Sequence, residues 1–141
     1  MAAVNKRRVL LGTIVGGAVW AVWSWVVNGV LLASQYAAAH TFRQLLEQPR
    51  YPLFLVYWFV TIFLLSYILT WIYVSVRGTF GPGPGTALRV GFLAGFMMGF
   101  PVNLSLAGWA TFDRMIALGW MADLWLGAVL ATFVSAWLYK E

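Results

Sequence analysis

Charged residues are so rare in this sequence that they leave four long apolar runs, at residues 9–33, 53–76, 88–110 and 116–139. Each run holds 23 to 25 residues, and a helix needs about 20 consecutive apolar residues to cross a bilayer core of about 30 Å. We therefore predict an all-α polytopic membrane protein, with residues 1–141 forming a single domain of four transmembrane helices. The first run exceeds the apolar core of a signal peptide, about 7–15 residues, so we expect it to be retained as a span.

The composition excludes several classes of protein. The chain is 62% hydrophobic and 9% charged, whereas soluble domains are about 45–50% apolar and about 25% charged. The absence of cysteine excludes disulfides, thiol chemistry and Fe–S clusters. One histidine and four acidic residues are too few for an all-protein metal cage, so we predict no metal site.

The distribution of lysine and arginine predicts the orientation, because these residues accumulate in cytoplasmic loops. If the N-terminus is cytoplasmic, the cytoplasmic side carries Lys6, Arg7, Arg8, Arg77, Arg89 and Lys140, and the outer side carries Arg43, Arg50 and Arg114. This asymmetry favours an orientation with both termini in the cytoplasm. The net charge of +5 then reflects topology and attraction to anionic lipid. No basic face is presented to solvent, so we predict no nucleic-acid partner.

The loop after the first run has an amphipathic pattern at residues 36–48. Its polar residues His40, Arg43, Gln44 and Glu47 fall at i, i+3, i+4 and i+7, which predicts a short interfacial helix that Pro49 ends. Such a helix could be a lid or docking surface, or a plain connector. His40 could ligate haem or a chlorin magnesium from the outer face, or it could simply be solvated.

The loop between the second and third runs alternates glycine and proline from Gly81 to Gly85, which predicts a tight, rigid turn. It lacks the Gly-Lys-Ser/Thr ending of a phosphate-binding loop, and its prolines remove backbone donors. The surrounding residues are Tyr73-Val74-Ser75-Val76-Arg77, Phe80-Gly81-Pro82-Gly83-Pro84 and Thr86-Ala87. This YxxVRxxFGPGPxTA-like inner loop resembles that of a family of small, uncharacterised bacterial proteins with four transmembrane helices. The resemblance implies a four-span topology in a bacterial inner membrane, and it implies no activity.

Asp123 is the acidic residue that lies within a predicted span, and intramembrane acids are functional hypotheses by default. By depth, Asn28 in the first span and Asn103 in the third lie near it, and Pro101 should kink the third span beside Asn103. We predict a polar cluster of Asn28, Asn103 and Asp123 near the outer side. The cluster could be interhelical hydrogen bonding alone. It could equally hold a proton, a cation or the head of an amphiphilic ligand.

Small residues recur every four positions in the last two spans. They are Gly91, Gly95, Gly99, Asn103 and Ala107 in the third span, and Gly119, Asp123, Gly127, Ala131 and Ser135 in the fourth. Such ridges allow close approach of membrane helices. We predict that the two ridges face each other and that these spans form the tightest pair, with Gly91, Gly95, Gly99, Gly119 and Gly127 as helix-packing residues.

These features favour a non-enzymatic membrane protein, either a helix-packing accessory subunit of a larger membrane complex or a homo-oligomer. No second carboxylate lies at depth and no serine has a nearby base, so we predict no catalytic residues. The aromatic second span suits contact with the lipid bilayer, a bound lipid, quinone or pigment, or another protein, and the sequence leaves this choice open. The alternative is a protein that binds or transports a small molecule, lipid or cation through Asn28, Asn103 and Asp123.

Overall fold

The protein is all-helical in a computed structural model that describes residues 4–139. The helices are α1 (Lys6–Trp25), a π-helix (Val26–Leu31), α2 (Ala33–Thr41), α3 (Phe54–Phe80), α4 (Pro84–Trp109) and α5 (Arg114–Leu138). Four segments are long and apolar enough to cross a membrane: Lys6–Leu31, α3, α4 and α5. The predicted four-span membrane fold is therefore confirmed. Lys140, used above to predict orientation, lies outside the described residues.

Both ends of the described chain lie at the same end of the helix bundle, which we call the termini end. The backbone N–H of Asn5 donates to the Tyr139 hydroxyl over 3.1 Å. The guanidinium of Arg77, near the end of α3, lies 4.8 Å from the centre of the Tyr139 ring, which is a cation–π contact. The opposite end, which carries α2, is called the α2 end.

The glycine-proline loop is tighter than the sequence predicts, because only residues 81–83 separate α3 from α4. Gly81 and Gly83 have φ angles of 84° and 126°, a region that favours glycine. Pro84 begins α4, where a missing N–H costs nothing. The Thr86 hydroxyl donates to the Gly81 carbonyl over 2.7 Å and fixes the turn. As a result both helices extend past the predicted bounds at residues 76 and 88.

The predicted interfacial helix at 36–48 is wrong in its bounds, because α2 ends at Thr41. Arg43 has a φ of 55°, while the N–H groups of Arg43 and Gln44 donate to the carbonyls of His40 and Ala39. These two bonds form a Schellman motif, which normally places glycine at the left-handed position. Because arginine occupies that position, no residue before Pro49 signals the end of the helix. The polar stripe from His40 to Glu47 therefore does not share one helix face.

Helix α5 is central, because it packs against α1, α3 and α4, and its interface with α4 is the largest between any two helices of the described chain. The glycines of α4 approach the α5 backbone closely: Gly91 at Val129, Gly95 at Trp125 and Gly99 at Met121. A Cβ at any of the three would lie 2.7 to 2.9 Å from a backbone atom. The glycines of α4 therefore do pack against α5, as predicted.

The small residues of α5 face a different helix from the one predicted. They lie opposite α1, in the pairs Ser135 with Gly12, Ala131 with Gly16, Gly127 with Trp20 and Asp123 with Ser24. Further along, a Cβ on Gly119 would overlap the Leu32 side chain. The prediction that the two ridges meet is wrong because α5 packs on both neighbours, and its small residues accommodate Trp20 and Leu32.

Candidate functional site: a buried carboxyl network

Asp123 lies within the α5 span and is only 1% exposed. Its α5 ridge faces α1, so the carboxyl meets the last turn of α1 and the π-helix that follows. The Ser24 hydroxyl donates to Asp123 Oδ2 over 2.7 Å, and Asn28 Nδ2 donates to the same oxygen over 2.8 Å. The structure therefore brings together two of the three predicted cluster residues, Asn28 and Asp123.

The side-chain amide of Asn28 can take only one orientation. Its Nδ2 also donates to the Ser24 carbonyl over 2.9 Å, and both this carbonyl and the Asp123 carboxylate oxygen are acceptors. A flipped amide would place an oxygen against two oxygens. Asn28 Oδ1 therefore faces the other way, where it accepts the hydroxyl proton of Tyr36 over 2.7 Å.

Tyr36, on α2, extends this chain of hydrogen bonds toward the α2 end. Its hydroxyl accepts the indole N–H of Trp120, which can only donate, so the tyrosine proton goes to Asn28. Burial raises the pKa of the Tyr36 hydroxyl above its ordinary value of 10.0; the Trp120 hydrogen bond lowers it, and the charge of Asp123 raises it. The hydroxyl is thereby held neutral as a donor.

Trp58 brings α3 into the same network. Its indole N–H donates to the Ser24 hydroxyl oxygen over 3.1 Å, which directs the serine proton to Asp123. We call this set of hydrogen-bonded residues the Asp123 network; its members are Ser24, Asn28, Tyr36, Trp58, Trp120 and Asp123. It connects all the described helices except α4.

The second carboxyl oxygen, Asp123 Oδ1, is buried and has no hydrogen-bond partner. The indole Nε1 of Trp20, which is 0% exposed, is likewise buried without a partner. This indole approaches the carboxyl group closely enough to act on it electrostatically, but the pair lacks ordinary hydrogen-bond geometry. The groups around Asp123 in the described chain are therefore three donors, from Ser24, Asn28 and Trp20, and none of them is a base.

Two effects of similar size act on the charge of this carboxyl group. A charged residue at the centre of a membrane helix costs about 2.5–3.5 kcal/mol on insertion scales. Hydrogen bonds to a charged group contribute about 1.5–3 kcal/mol each, and Oδ2 accepts two. The two hydrogen bonds thus offset the cost of the charge at least in part, and the described surroundings supply no countercharge.

Asn28 also lies in the π-helix, a wider turn that proteins often place at functional sites. The N–H of Leu32 donates to the Val27 carbonyl over 2.9 Å at its end. The wider turn is associated with an Asn28 side chain that bonds to Asp123 on one side and to Tyr36 on the other. The site therefore combines an intramembrane acid with an irregular helix turn.

Two of the predicted site residues lie apart from the network. Asn103 is buried, but its Nδ2 donates to the Gly99 carbonyl of its own helix over 2.8 Å. The glycines of α4 meet α5 at every fourth residue, and the next step of this pattern places Asn103 beside Ala117. That position is more than one helical turn from Asp123. The prediction that Asn103 joins the cluster is therefore wrong, because α4 packs on a different side of α5.

His40 lies in the last turn of α2 and is half-buried. Its Nδ1 is buried without a hydrogen-bond partner. No hydrogen bond in the described chain connects the imidazole to the Asp123 network, and no group of three His, Cys, Asp or Glu side chains in the same residues could hold a metal ion. Ligation by His40 stays a prediction.

Part of what the sequence reasoning missed was detectable. Gly12, Gly16, Trp20, Ser24 and Asn28 recur every four residues along the first span, which predicts one helix face that carries both small residues and the polar partners of Asp123. Tyr36, Trp58 and Trp120 gave no such signal, since tyrosine and tryptophan are expected at membrane interfaces.

Comparisons with models of protein families, with curated proteins and with solved structures found no match to this sequence. The functional inference therefore depends on the chain's own residues. Chemically, the Asp123 network can hold helices together and partly compensate a negative charge on Asp123, and it leaves Asp123 Oδ1 without a hydrogen-bond partner.

Proposed function

We propose that this integral membrane protein is non-enzymatic and acts by lateral association, as an accessory subunit of a larger membrane complex or as a homo-oligomer. The observation that carries the proposal is a concave apolar groove of about 590 Å³ between α1 and α3. Thr13 and Ile14 of α1 and a row of α3 residues from Val56 to Tyr67 line it. A groove of this kind offers a partner helix more contact than a convex, lipid-covered surface does.

The glycine ridges support this surface indirectly. Gly12, Gly16, Gly91, Gly95, Gly99 and Gly127 all pack against other helices of the same chain. Close glycine contacts are thus used within the bundle, and bulky side chains remain on its outside. We therefore propose that association uses large apolar residues of α3, such as Leu64 and Ile68, which are half exposed or more.

Cysteine cross-linking tests this surface, because the chain contains no cysteine of its own. We expect Leu64→Cys, which borders the groove, to form cross-linked species in native membranes with a short bifunctional thiol reagent. Met97→Cys, on the exposed face of α4, is the matched control and should give far less product. Native mass spectrometry of the gently solubilised protein then distinguishes a second copy from a foreign subunit. Equal, low cross-linking at both positions would contradict the proposal.

A second candidate function is the binding or transport of a small molecule, lipid or cation. The observation that favours it is the buried carboxyl group of Asp123, whose Oδ1 has no hydrogen-bond partner. We expect Asp123→Asn to preserve assembly, since the amide has the same shape, and to abolish any Asp123-dependent binding. Normal assembly with normal binding would contradict this candidate.

We further propose that the protein lies in a bacterial inner membrane with both termini cytoplasmic. The lysine and arginine asymmetry supports this orientation, and so does the resemblance to the four-span family with the glycine-proline loop. Reporter fusions at Gly83 and after the C-terminus should read cytoplasmic, and a fusion at Gln48 should read external. The opposite pattern would reverse the orientation.

A further inference from the structure

The two oxygens of the Asp123 carboxyl group are not equivalent. Oδ2 accepts hydrogen bonds from Ser24 and Asn28, whereas Oδ1 is buried and has no partner. Both donors are fixed: Trp58 occupies an acceptor site of the Ser24 hydroxyl, and the Asn28 amide cannot flip. A proton on Oδ2 would compete with both donors for the same space. A proton that binds this carboxyl group must therefore bind Oδ1.

The geometry favours a proton over a metal cation as the bound species. Calcium takes six to eight oxygen ligands and magnesium an octahedral shell, while other cations also need several oxygens. Asn28 presents its NH₂ group to the carboxyl, and its oxygen faces Tyr36. Trp20 Nε1 is a further buried donor near this group. Donors in these positions repel a metal ion, whereas a proton needs only one oxygen.

We propose that Asp123 Oδ1 is a reversible binding site for a single proton, and that its occupancy controls the packing of the π-helix. This inference rests on the second candidate function above. The proton comes from water, an O–H bond forms at Oδ1, and the carboxylate becomes a neutral carboxyl group. No other bond changes and no further reactant is needed.

Proton binding at Asp123 affects the π-helix through the hydrogen bond from Asn28. Hydrogen bonds to an ionised acceptor are roughly twice as strong as neutral ones, so proton binding weakens the bonds from Asn28 and Ser24. Asn28 is then held mainly by Tyr36 and by the Ser24 carbonyl. The segment that loosens is the π-helix and the start of α2.

The side chains that the neighbouring helices place around the carboxyl group make this pH dependence specific to Asp123. Helix α1 contributes Trp20 and Ser24, the π-helix Asn28, and α3 reaches the site through Trp58. None of these side chains titrates. Tyr36 on α2 is the titratable group of the network besides Asp123, and it ionises only in alkaline solution.

Infrared spectroscopy of the full chain in liposomes tests proton binding directly. We expect a band of a protonated, buried carboxylic acid that appears on acidification and disappears on alkalinisation. Asp123→Asn should remove this band. Asp113→Asn is the matched control, because it changes an exposed acid at the start of the same helix, where asparagine is an equally good N-cap.

Hydrogen exchange measured by mass spectrometry tests the coupling to the π-helix. After correction for intrinsic exchange, the peptide at residues 26–36 should exchange several-fold faster in the protonated wild type than in the ionised one. In Asp123→Asn its exchange should not depend on pH, and in Asp113→Asn it should respond as in the wild type.

The inference would be overturned if the carboxylic acid band did not change with pH. It would also be overturned if hydrogen exchange at residues 26–36 depended on pH in Asp123→Asn as much as in the wild type. Addition of Na⁺ or K⁺ at constant pH separates this inference from the second candidate function. Loss of the protonated band on addition of either ion would show that a metal cation competes with the proton for this carboxyl group. That result would overturn the selectivity for a proton and leave the second candidate standing.

Discussion

The contact between Trp20 and Gly127 gives the sharpest prediction about packing. Trp20 is 0% exposed and belongs to the main hydrophobic cluster, with Ile62 and Ala128. A Cβ on Gly127 would overlap the pyrrole part of the Trp20 indole, and this ring is enclosed by the core residues that pack around it. We therefore expect Gly127→Ala to force α1 and α5 apart.

Two opposing effects determine how much Gly127→Ala lowers the free energy of unfolding. Overpacking of a well-packed core costs typically about 1–3 kcal/mol, and so severe an overlap falls at the upper limit. Replacing glycine by alanine inside a helix recovers about 1 kcal/mol. We expect a net destabilisation of about 2 kcal/mol, measured by reversible denaturation in mixed micelles.

Two controls isolate the cause of that loss. Gly108 is also helical, but a Cβ there would meet nothing within 4 Å, so Gly108→Ala should be neutral or slightly stabilising. In a Trp20→Leu background the overlap is gone, and Gly127→Ala should no longer destabilise, which gives a coupling energy of about 1–3 kcal/mol. If Gly127→Ala proves as stable as Gly108→Ala, the packing of α1 on α5 described here is wrong.

Three further predictions concern the network and the end of α2. Asp123→Leu should destabilise the fold by about 1–3 kcal/mol for each donor left unpaired, whereas Asp123→Asn should change thermal stability little. Arg43→Gly should raise the melting temperature, since a side chain in the left-handed region costs about 1–2 kcal/mol, and Arg43→Val should lower it. The pKa of Tyr36 is raised in the fold, so the neutral hydroxyl contributes fully to the stability of the fold below pH 10.0. This stability is lost as the pH rises further, and Tyr36→Phe should remove that alkaline loss in pH-dependent denaturation.

The spans were predictable because a spanning helix must satisfy its own backbone and present apolar side chains to lipid. That constraint acts on each segment separately and can be read from composition. The length of α2 was not predictable, because a Schellman motif with Arg43 at the left-handed position has no sequence signature. Its hydrogen bonds become apparent only when the backbone is known.

The neighbours of Asp123 were harder to predict than its depth. Distance along a helix placed Asn28 and Asn103 at similar levels, but depth does not specify which face of α5 meets which helix. The α4 glycines approach one side of α5, and the Gly127 side of α5 meets Trp20. Size complementarity between a tryptophan on one helix and a glycine on another decided the pairing, and this is a property of two helices together.

The pairing of α1 with α5 also leads to a prediction about exchanging the residues at positions 24 and 123. Ser24 and Asp123 lie opposite each other, and Trp58 Nε1 already donates to position 24. Asn28 Nδ2 lies 3.4 Å from the Ser24 hydroxyl oxygen. A carboxyl at position 24 could therefore accept from both, and a serine at position 123 could supply the third donor.

We expect the double variant with Ser24→Asp and Asp123→Ser to be more stable than either single variant. Ser24→Asp alone places two carboxyl groups in contact, and like charges at such a distance cannot both ionise without cost. Asp123→Ser alone removes the acceptor that Asn28 uses. Thermal denaturation of the four proteins gives the coupling energy directly. A double variant no more stable than the sum of the single changes would mean that Ser24 and Asp123 do not share one hydrogen-bonded site.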